Sequence, residues 1–353
     1  MDTSKDIKIP KVLAIRTDFQ HHGEDFGYKQ ILKFTQPFKV IGVNERNAAE
    51  KTPSIKKKYL WLFEFDLLKY SKDIDLVHIL YGEDYYRWSY RLFKKPLVVT
   101  FHQPADILER EVLYGDYRGR IGRITHIVNK NRFKHLVAAI VTNKTQIDVL
   151  KKVMPEERIH YIPLGIHVER LNTKFYQGLT ENIDYQTTSN IITVGNWMRD
   201  WAFYLETVKQ CPEWTFHLIN RNMDKAFLKT LPSNVKYYDD ISDAEMFNLY
   251  LSSSFQFLPL VALAGSNAFI QGLGLGCPIV MTDINAEEFV NDKEIITLYE
   301  KGNVLDCVNK MKDIIMRTSE KRTELRKKAN SYANQFSWEM AANKTIELYK
   351  KLI

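Results

Sequence analysis

At roughly 150 residues per domain, the 353 residues point to two domains rather than one packed core. Hydrophobic residues make up 45% and charged residues 26%, which with 12% aromatics excludes a disordered chain, a collagen-like repeat and a coiled coil. Fifty Lys and Arg against 43 Asp and Glu leave a net charge of +7, which favours polyanionic partners or an anionic membrane surface without selecting nucleic acid.

Three scattered cysteines, Cys211, Cys277 and Cys307, form no Cys-x-x-Cys. Neither a disulfide framework nor a thiolate zinc site is expected, and a reducing, cytoplasmic compartment fits. The opening MDTSKDIKIPKVLAI lacks the apolar stretch of a signal peptide. Residues 246–282 carry no charge, but Ser252–Ser254, Pro259, Ser266, Asn267, Gln271 and four glycines interrupt them. That punctuation belongs to buried strand, turn, helix and strand rather than to a membrane span.

In chain order, short β-rich apolar runs alternate with helical stretches, the pattern of parallel sheets flanked by helices. Strands are expected at 11–15, 39–43, 76–80, 97–101, 138–142 and 159–162, with helical patterns at 28–34, 85–93 and 144–153. Residues 172–189 are polar, lack regular periodicity and read as linker. A second series follows, with strands at 191–194, 215–219, 235–237, 255–258, 278–281 and 295–298. Helices fall at 201–210, 224–231, 243–251, 267–275 and 287–290, and residues 304–353 are helical and Lys-rich. Two consecutive doubly wound units imply two similar lobes facing a cleft, with ligands outside the carboxyl ends of the strands.

The loops after strands therefore hold the candidate chemistry. At Ala264-Gly265-Ser266-Asn267, Ser266 or Asn267 can cap a helix and Gly265 lets backbone approach a ligand. The free N–H groups of that helix start suit a phosphate or diphosphate; the alternative is a capped buried helix without a ligand. Gly272 and Gly274 would allow close packing, and Gly276 would stop the helix. After the strand at 191–194, Gly195-Asn196-Trp197-Met198-Arg199 forms a glycine turn that could present the Arg199 guanidinium to phosphate oxygens, or simply a surface turn. His102 follows another strand and precedes Pro104, placed to act as a hydrogen-bond donor or a base. The loop from Asp18 through Gly27 is not Gly-x-Gly-x-x-Gly, and His21-His22 within it lack the spacing of a metal site. Residues 114–135 concentrate Arg118, Arg120, Arg123, Lys130, Arg132 and Lys134, with apolar residues interleaved, against Asp116 alone. They read either as a membrane-surface segment or as a solvated basic helix.

In this order the pieces resemble the nucleotide-sugar glycosyltransferases of GT-B type, most closely glycosyltransferase family 4. AAIVTNKTQIDVL, HYIPLGIHVERL, IITVGNWMRDW, NVKYYDDISDAEMFNLYLSSSFQFLPL, GSNAFIQGLGLGCPIVMTDINAEEFV and FSWEMAANKTIELYKKL each look like a family segment. The resemblance implies an α/β fold of two Rossmann-like lobes with an inter-lobe cleft. It divides the chain into an acceptor lobe at 1–170, a linker at 171–189, a nucleotide-sugar lobe at 190–335 and a helix crossing back to the first lobe at 336–353. It implies transfer of a sugar from a nucleotide-diphosphate donor to a glycan or lipid-linked acceptor, with retention of anomeric configuration. His102 would lie near the donor sugar, and Gly265, Ser266 and Asn267 would hold the diphosphate together with Gly195, Asn196 and Arg199. Gln271 would contact the ribose, and Glu287 or Glu288 would read the nucleotide or sugar.

The departures are specific. Asn196 stands where the family has arginine, and Arg199 supplies a cation at a different spacing. Gln271 replaces a glutamate, and the partner glutamate falls near Leu263. No DxD-like pair occupies a suitable loop, since Asp239-Asp240 reads as surface, so neither a divalent metal nor a cofactor is implied. Peripheral membrane contact through 114–135 is expected and nucleic-acid binding is not. The rivals are a nucleotide-sugar epimerase, whose loop carboxylates would be Asp18 and Glu83, and a catalytically degenerate GT-B protein acting as a binding subunit.

Overall fold

The computed structural model describes residues 11–17, 27–35, 38–43, 74–86, 91, 94–114, 119–180, 189–221, 223–262, 267–284 and 292–353. The chain divides into two compact units, Met1–Gly165 with Trp338–Ile353, and Ile166–Ser337.

In the first unit β1 (Val12–Thr17), β2 (Phe38–Val43), β3 (Leu76–Ile79), β4 (Leu97–Phe101), β5 (Ala138–Val141) and β6 (Ile159–Tyr161) pair in parallel, in the order β2-β1-β3-β4-β5-β6. The strands fall where the apolar runs place them, with ends shifted by a residue or two. LVHI of β3, LVVTF of β4 and AAIV of β5 are buried along their whole lengths, as a parallel sheet covered on both faces requires. One polar residue sits inside this run. His78 is fully buried, and its ring nitrogens contact the Tyr349 hydroxyl and, at 2.7 Å, the Thr100 hydroxyl. Burial pushes its pKa down to about 3. Tyr349 belongs to the closing helix Trp338–Leu352, which packs on this unit as the crossing-back helix was expected to do. The expected helix at 28–34 is a 3-10 turn over Tyr28–Lys33. Of that at 85–93, Tyr85 closes the helix Gly82–Tyr85, Tyr86 is extended and Arg91 is helical; residues 87–90, 92 and 93 lie outside the described residues.

In the second unit β7 (Asn190–Val194), β8 (Thr215–Ile219), β9 (Val235–Tyr238), β10 (Phe255–Leu258), β11 (Ile279–Thr282) and β12 (Ile296–Tyr299) form a parallel sheet of order β12-β11-β10-β7-β8-β9. Aromatics carry much of its core: Phe203 stacks on Tyr299 at 5.1 Å and Tyr204 on Phe257 at 5.8 Å. The helix Asp243–Leu251 begins in a capping box, Ser242 with Glu245, that satisfies backbone donors at its start. The guanidinium of buried Arg326 donates to the carbonyls of Leu251, Ser253 and Leu275, at the ends of two helices whose dipoles favour a cation there.

One element overturns its expectation. Residues 172–180, expected as linker, belong to the helix Val168–Thr180. Its buried stripe runs through Leu171 and Phe175 to Gly178, one helical face. The stripe starts at Leu171, just before the polar window, so the window alone shows no period.

Candidate functional site

Topology marks a switch point in each sheet, where successive connections leave in opposite directions and a crevice opens at the carboxyl ends of the strands. In the first sheet this lies between β1 and β3, and in the second between β7 and β10.

In the first unit His102 directly follows β4. Its Nε2 is 2.7 Å from the carbonyl of Leu80, which only accepts, so Nε2 carries the proton and Nδ1 is left with a lone pair. Of the two expected roles, donor or base, the tautomer leaves the lone pair that a base needs. Burial lowers the pKa to about 4, so the ring is neutral at physiological pH. Tyr28 and Tyr81 flank it, with ring centroids at 4.7 and 4.8 Å. The Glu83 carboxylate accepts the backbone N–H groups of His102 and, at 2.8 Å, Gln103. Glu83, an acid–base candidate on the epimerase reading, thus serves the backbone of the His102 turn. Fully buried Gln146, which sequence reasoning missed, accepts the N–H groups of Thr142 and Asn143 at 2.9 Å and donates to the carbonyls of Phe101 and Gln103. It ties the ends of β4 and β5 together behind His102.

In the second unit the turn after β7 starts at Gly195 with φ 88°, a left-handed value that disfavours any other residue. Asn196 and Trp197 are exposed, and Met198 takes φ 56°. Arg199 folds back over this turn: Nη1 donates to the Trp197 carbonyl at 2.8 Å and Nη2 to that of Val194 at 2.7 Å. Its Nε is buried without a hydrogen-bond partner. Burial lowers its pKa to about 10, which keeps it a cation at neutral pH. Asp200 then caps the helix Trp201–Lys209.

Across the switch point, Asp200 N–H donates to the Pro259 carbonyl at 2.8 Å and Val261 N–H to that of Met198 at 3.0 Å, which pins the loop after β7 to the loop after β10. Beyond lies the helix Asn267–Gly274. Asn267 is its first residue; Gly265, Ser266, Glu287 and Glu288 fall outside the described residues. Gln271 is 4% exposed, and its Nε2 is buried without a partner. A Cβ on Gly272 would stand 2.2 Å from Gln256 Oε1, so glycine there lets the helix lie on β10, the close packing expected of it. Gln256 Nε2 donates to the Tyr250 hydroxyl at 3.0 Å, a buried pair with no sequence signature. Gly195, Asn196 and Arg199 thus lie in the turn after β7 and Asn267 and Gln271 in the helix after β10, all in the second unit, while His102 lies in the first.

Among the described residues no group of three His, Cys, Asp or Glu side chains could hold a metal ion, and no helix is long and apolar enough to cross a membrane. Asp239 and Asp240 are exposed, and Asp240 pairs with Arg221 at 3.0 Å.

Residues 33–170 match the family model for Glycosyltransferase Family 4. No curated protein matches in sequence. Among solved structures, the chain is similar to a sucrose-phosphate synthase from Thermosynechococcus elongatus, with TM-score 0.70 and 14% identity over 97% of this chain and 99% of that one. Anabaena HepE in complex with UDP-glucose gives TM-score 0.69 and 14% identity over 97% of this chain and 100% of that one. An α,α-trehalose 6-phosphate synthase from Burkholderia multivorans gives 0.70 and 7% over 98% and 97%. The chain has the fold of the GT-B glycosyltransferases that its motifs resemble, and the match to Glycosyltransferase Family 4 spans most of the first unit and the first residues of the second.

Proposed function

We propose that the protein transfers a sugar from a nucleotide-diphosphate donor to a glycan or lipid-linked acceptor, without a metal and with retention at the anomeric carbon. One observation carries the reading: the buried Nε of Arg199, in the loop after β7 at the switch point of the second sheet, has no partner, and neither does the buried Nε2 of Gln271 in the helix that follows β10. An unsatisfied buried donor costs about 1–3 kcal/mol, which a ligand rich in acceptor oxygens removes. Cleavage of the anomeric C–O bond leaves negative charge on the departing diphosphate. The start of the helix Asn267–Gly274 and the Arg199 guanidinium are the groups that stabilise it. Gln271 contacts the ribose, and His102 accepts a hydroxyl proton through Nδ1. Gly265, Ser266 and Glu287 complete the donor site as the resemblance implies.

The acceptor lies at an anionic membrane surface on the cytoplasmic side. The helix Gly119–Phe133 turns Ile124, Ile127 and Val128 to solvent at 57%, 67% and 55% exposure, while Asn129 and Phe133 face inward. Residues 119–135 contain no Asp or Glu, and Arg123, Lys130 and Lys134 are exposed beside the apolar triad. Apolar insertion and attraction to anionic lipid act together on such a face.

The test is a thermal-shift panel of UDP, GDP, ADP and dTDP, followed by an assay of nucleotide release from the matching sugars. Stabilisation by one of them, and severe loss of transfer in Arg199→Ala and His102→Ala with the fold retained, are expected. No stabilisation by any nucleotide would favour the degenerate binding subunit. Near-normal turnover in both variants removes the assigned roles.

A further inference from the structure

We infer that Trp197 is the platform on which the pyranose ring of the donor stacks, an assignment that rests on the donor reading above. Trp197 is 63% exposed, an unfavourable position for the largest apolar side chain unless something covers it. The loop around it is not loose. Gly195 N–H donates to the Ile219 carbonyl at 3.0 Å, Arg199 donates to the Trp197 carbonyl, and Val261 N–H holds the Met198 carbonyl. Met198 is the one described non-glycine residue with positive φ, and strain of that kind persists only where the surroundings impose it. The fold thus fixes an indole in solvent at the switch point, two residues from the guanidinium assigned to the diphosphate.

The order of the ligand selects the pyranose over the base. Gln271 in the helix takes the ribose, and the helix start and Arg199 take the diphosphate. The glycosyl group then follows directly on the phosphates, and Trp197 is the exposed ring two residues from the guanidinium assigned to them. A pyranose presents polarised C–H bonds on its faces, which suit the negative face of an aromatic ring. Exposed Asn196 beside Trp197 adds one amide donor and one acceptor for a hydroxyl.

Calorimetry on wild type, Trp197→Ala and Trp197→Phe would use UDP, GDP, ADP and dTDP, each free and as its glucose conjugate. Trp197→Ala should weaken the conjugate by roughly tenfold, equivalent to about 1.4 kcal/mol, and leave the free nucleotide unchanged. Trp197→Phe should recover most of the loss. Equal weakening of nucleotide and conjugate, or of neither, overturns the platform while the donor reading stands. Failure of every nucleotide to bind wild type removes the donor reading and the platform together.

Discussion

Gln271→Met should raise the stability of the ligand-free protein and weaken its hold on a nucleoside diphosphate, two effects of opposite sign from one amide. Gln271 is 4% exposed and its Nε2 has no partner, so the fold carries a desolvated donor worth about 1–3 kcal/mol of lost stability. Methionine keeps the unbranched length and the helix propensity and removes the donor. With the difference in packing deducted, a net gain of about 1 kcal/mol is expected, which raises the midpoint of a unit of this size by roughly 2–4 °C. In the complex the same amide makes a hydrogen bond worth about 0.5–1.5 kcal/mol, so affinity should fall between about twofold and tenfold. Differential scanning fluorimetry with and without the nucleotide reads both signs at once. A lower midpoint without ligand would show that the amide is part of the folded framework. An unchanged ligand-induced shift would show that the nucleotide does not reach it.

Arg199→Lys should reduce kcat/KM by at least about tenfold, because one ammonium cannot serve the Val194 and Trp197 carbonyls and also face a phosphate; steady-state kinetics at saturating acceptor would check it. Stability should fall with acidification, as urea titrations from pH 7 to 4 would show. His78 has its pKa pushed down to about 3, and His102 and His217 to about 4, chiefly by burial, whereas unfolded histidine protonates near 6.5. Unfolding therefore takes up protons, so the contribution is complete above about pH 6.5 and is lost below it by up to about 1.4 kcal/mol per pH unit for each ring. Ile127→Glu with Val128→Glu should abolish co-sedimentation with vesicles of phosphatidylcholine and phosphatidylglycerol and leave the thermal midpoint unchanged; binding that persists would remove the helix Gly119–Phe133 from the membrane contact.

Strands such as Leu97–Phe101 were legible because a parallel strand covered on both faces must be apolar at every position, and that run stands out without any partner being known. Gln271 was legible only through the family resemblance, as the residue standing where a glutamate is usual, and its unpartnered state was not, since hydrogen bonding depends on what the fold brings near. The tautomer of His102 depends on the Leu80 carbonyl, 22 residues away, and the Gln146 staple reaches back 45 residues to Phe101. Such bonds leave no local period. The helix Val168–Thr180 was missed for a different reason: its apolar face is narrow, and its flanks are polar enough to pass for linker.

Asn196 in place of an arginine is the departure that weighs most against transfer, and on the proposed reading geometry offsets it. A cation lowers a barrier in proportion to how little it must move when charge develops. Arg199 meets that condition. Two of its nitrogens are fixed on carbonyls of the turn it spans, and the turn is fixed to the loop after β10. A flexible side chain at the usual position would lose rotamer entropy on each binding event, of order 1–2 kcal/mol, which the folded Arg199 has already lost. The displaced spacing is therefore compatible with activity only while the two carbonyl contacts hold. That is why the lysine exchange, which keeps the charge and breaks the fork, separates a preorganised cation from a merely positive one.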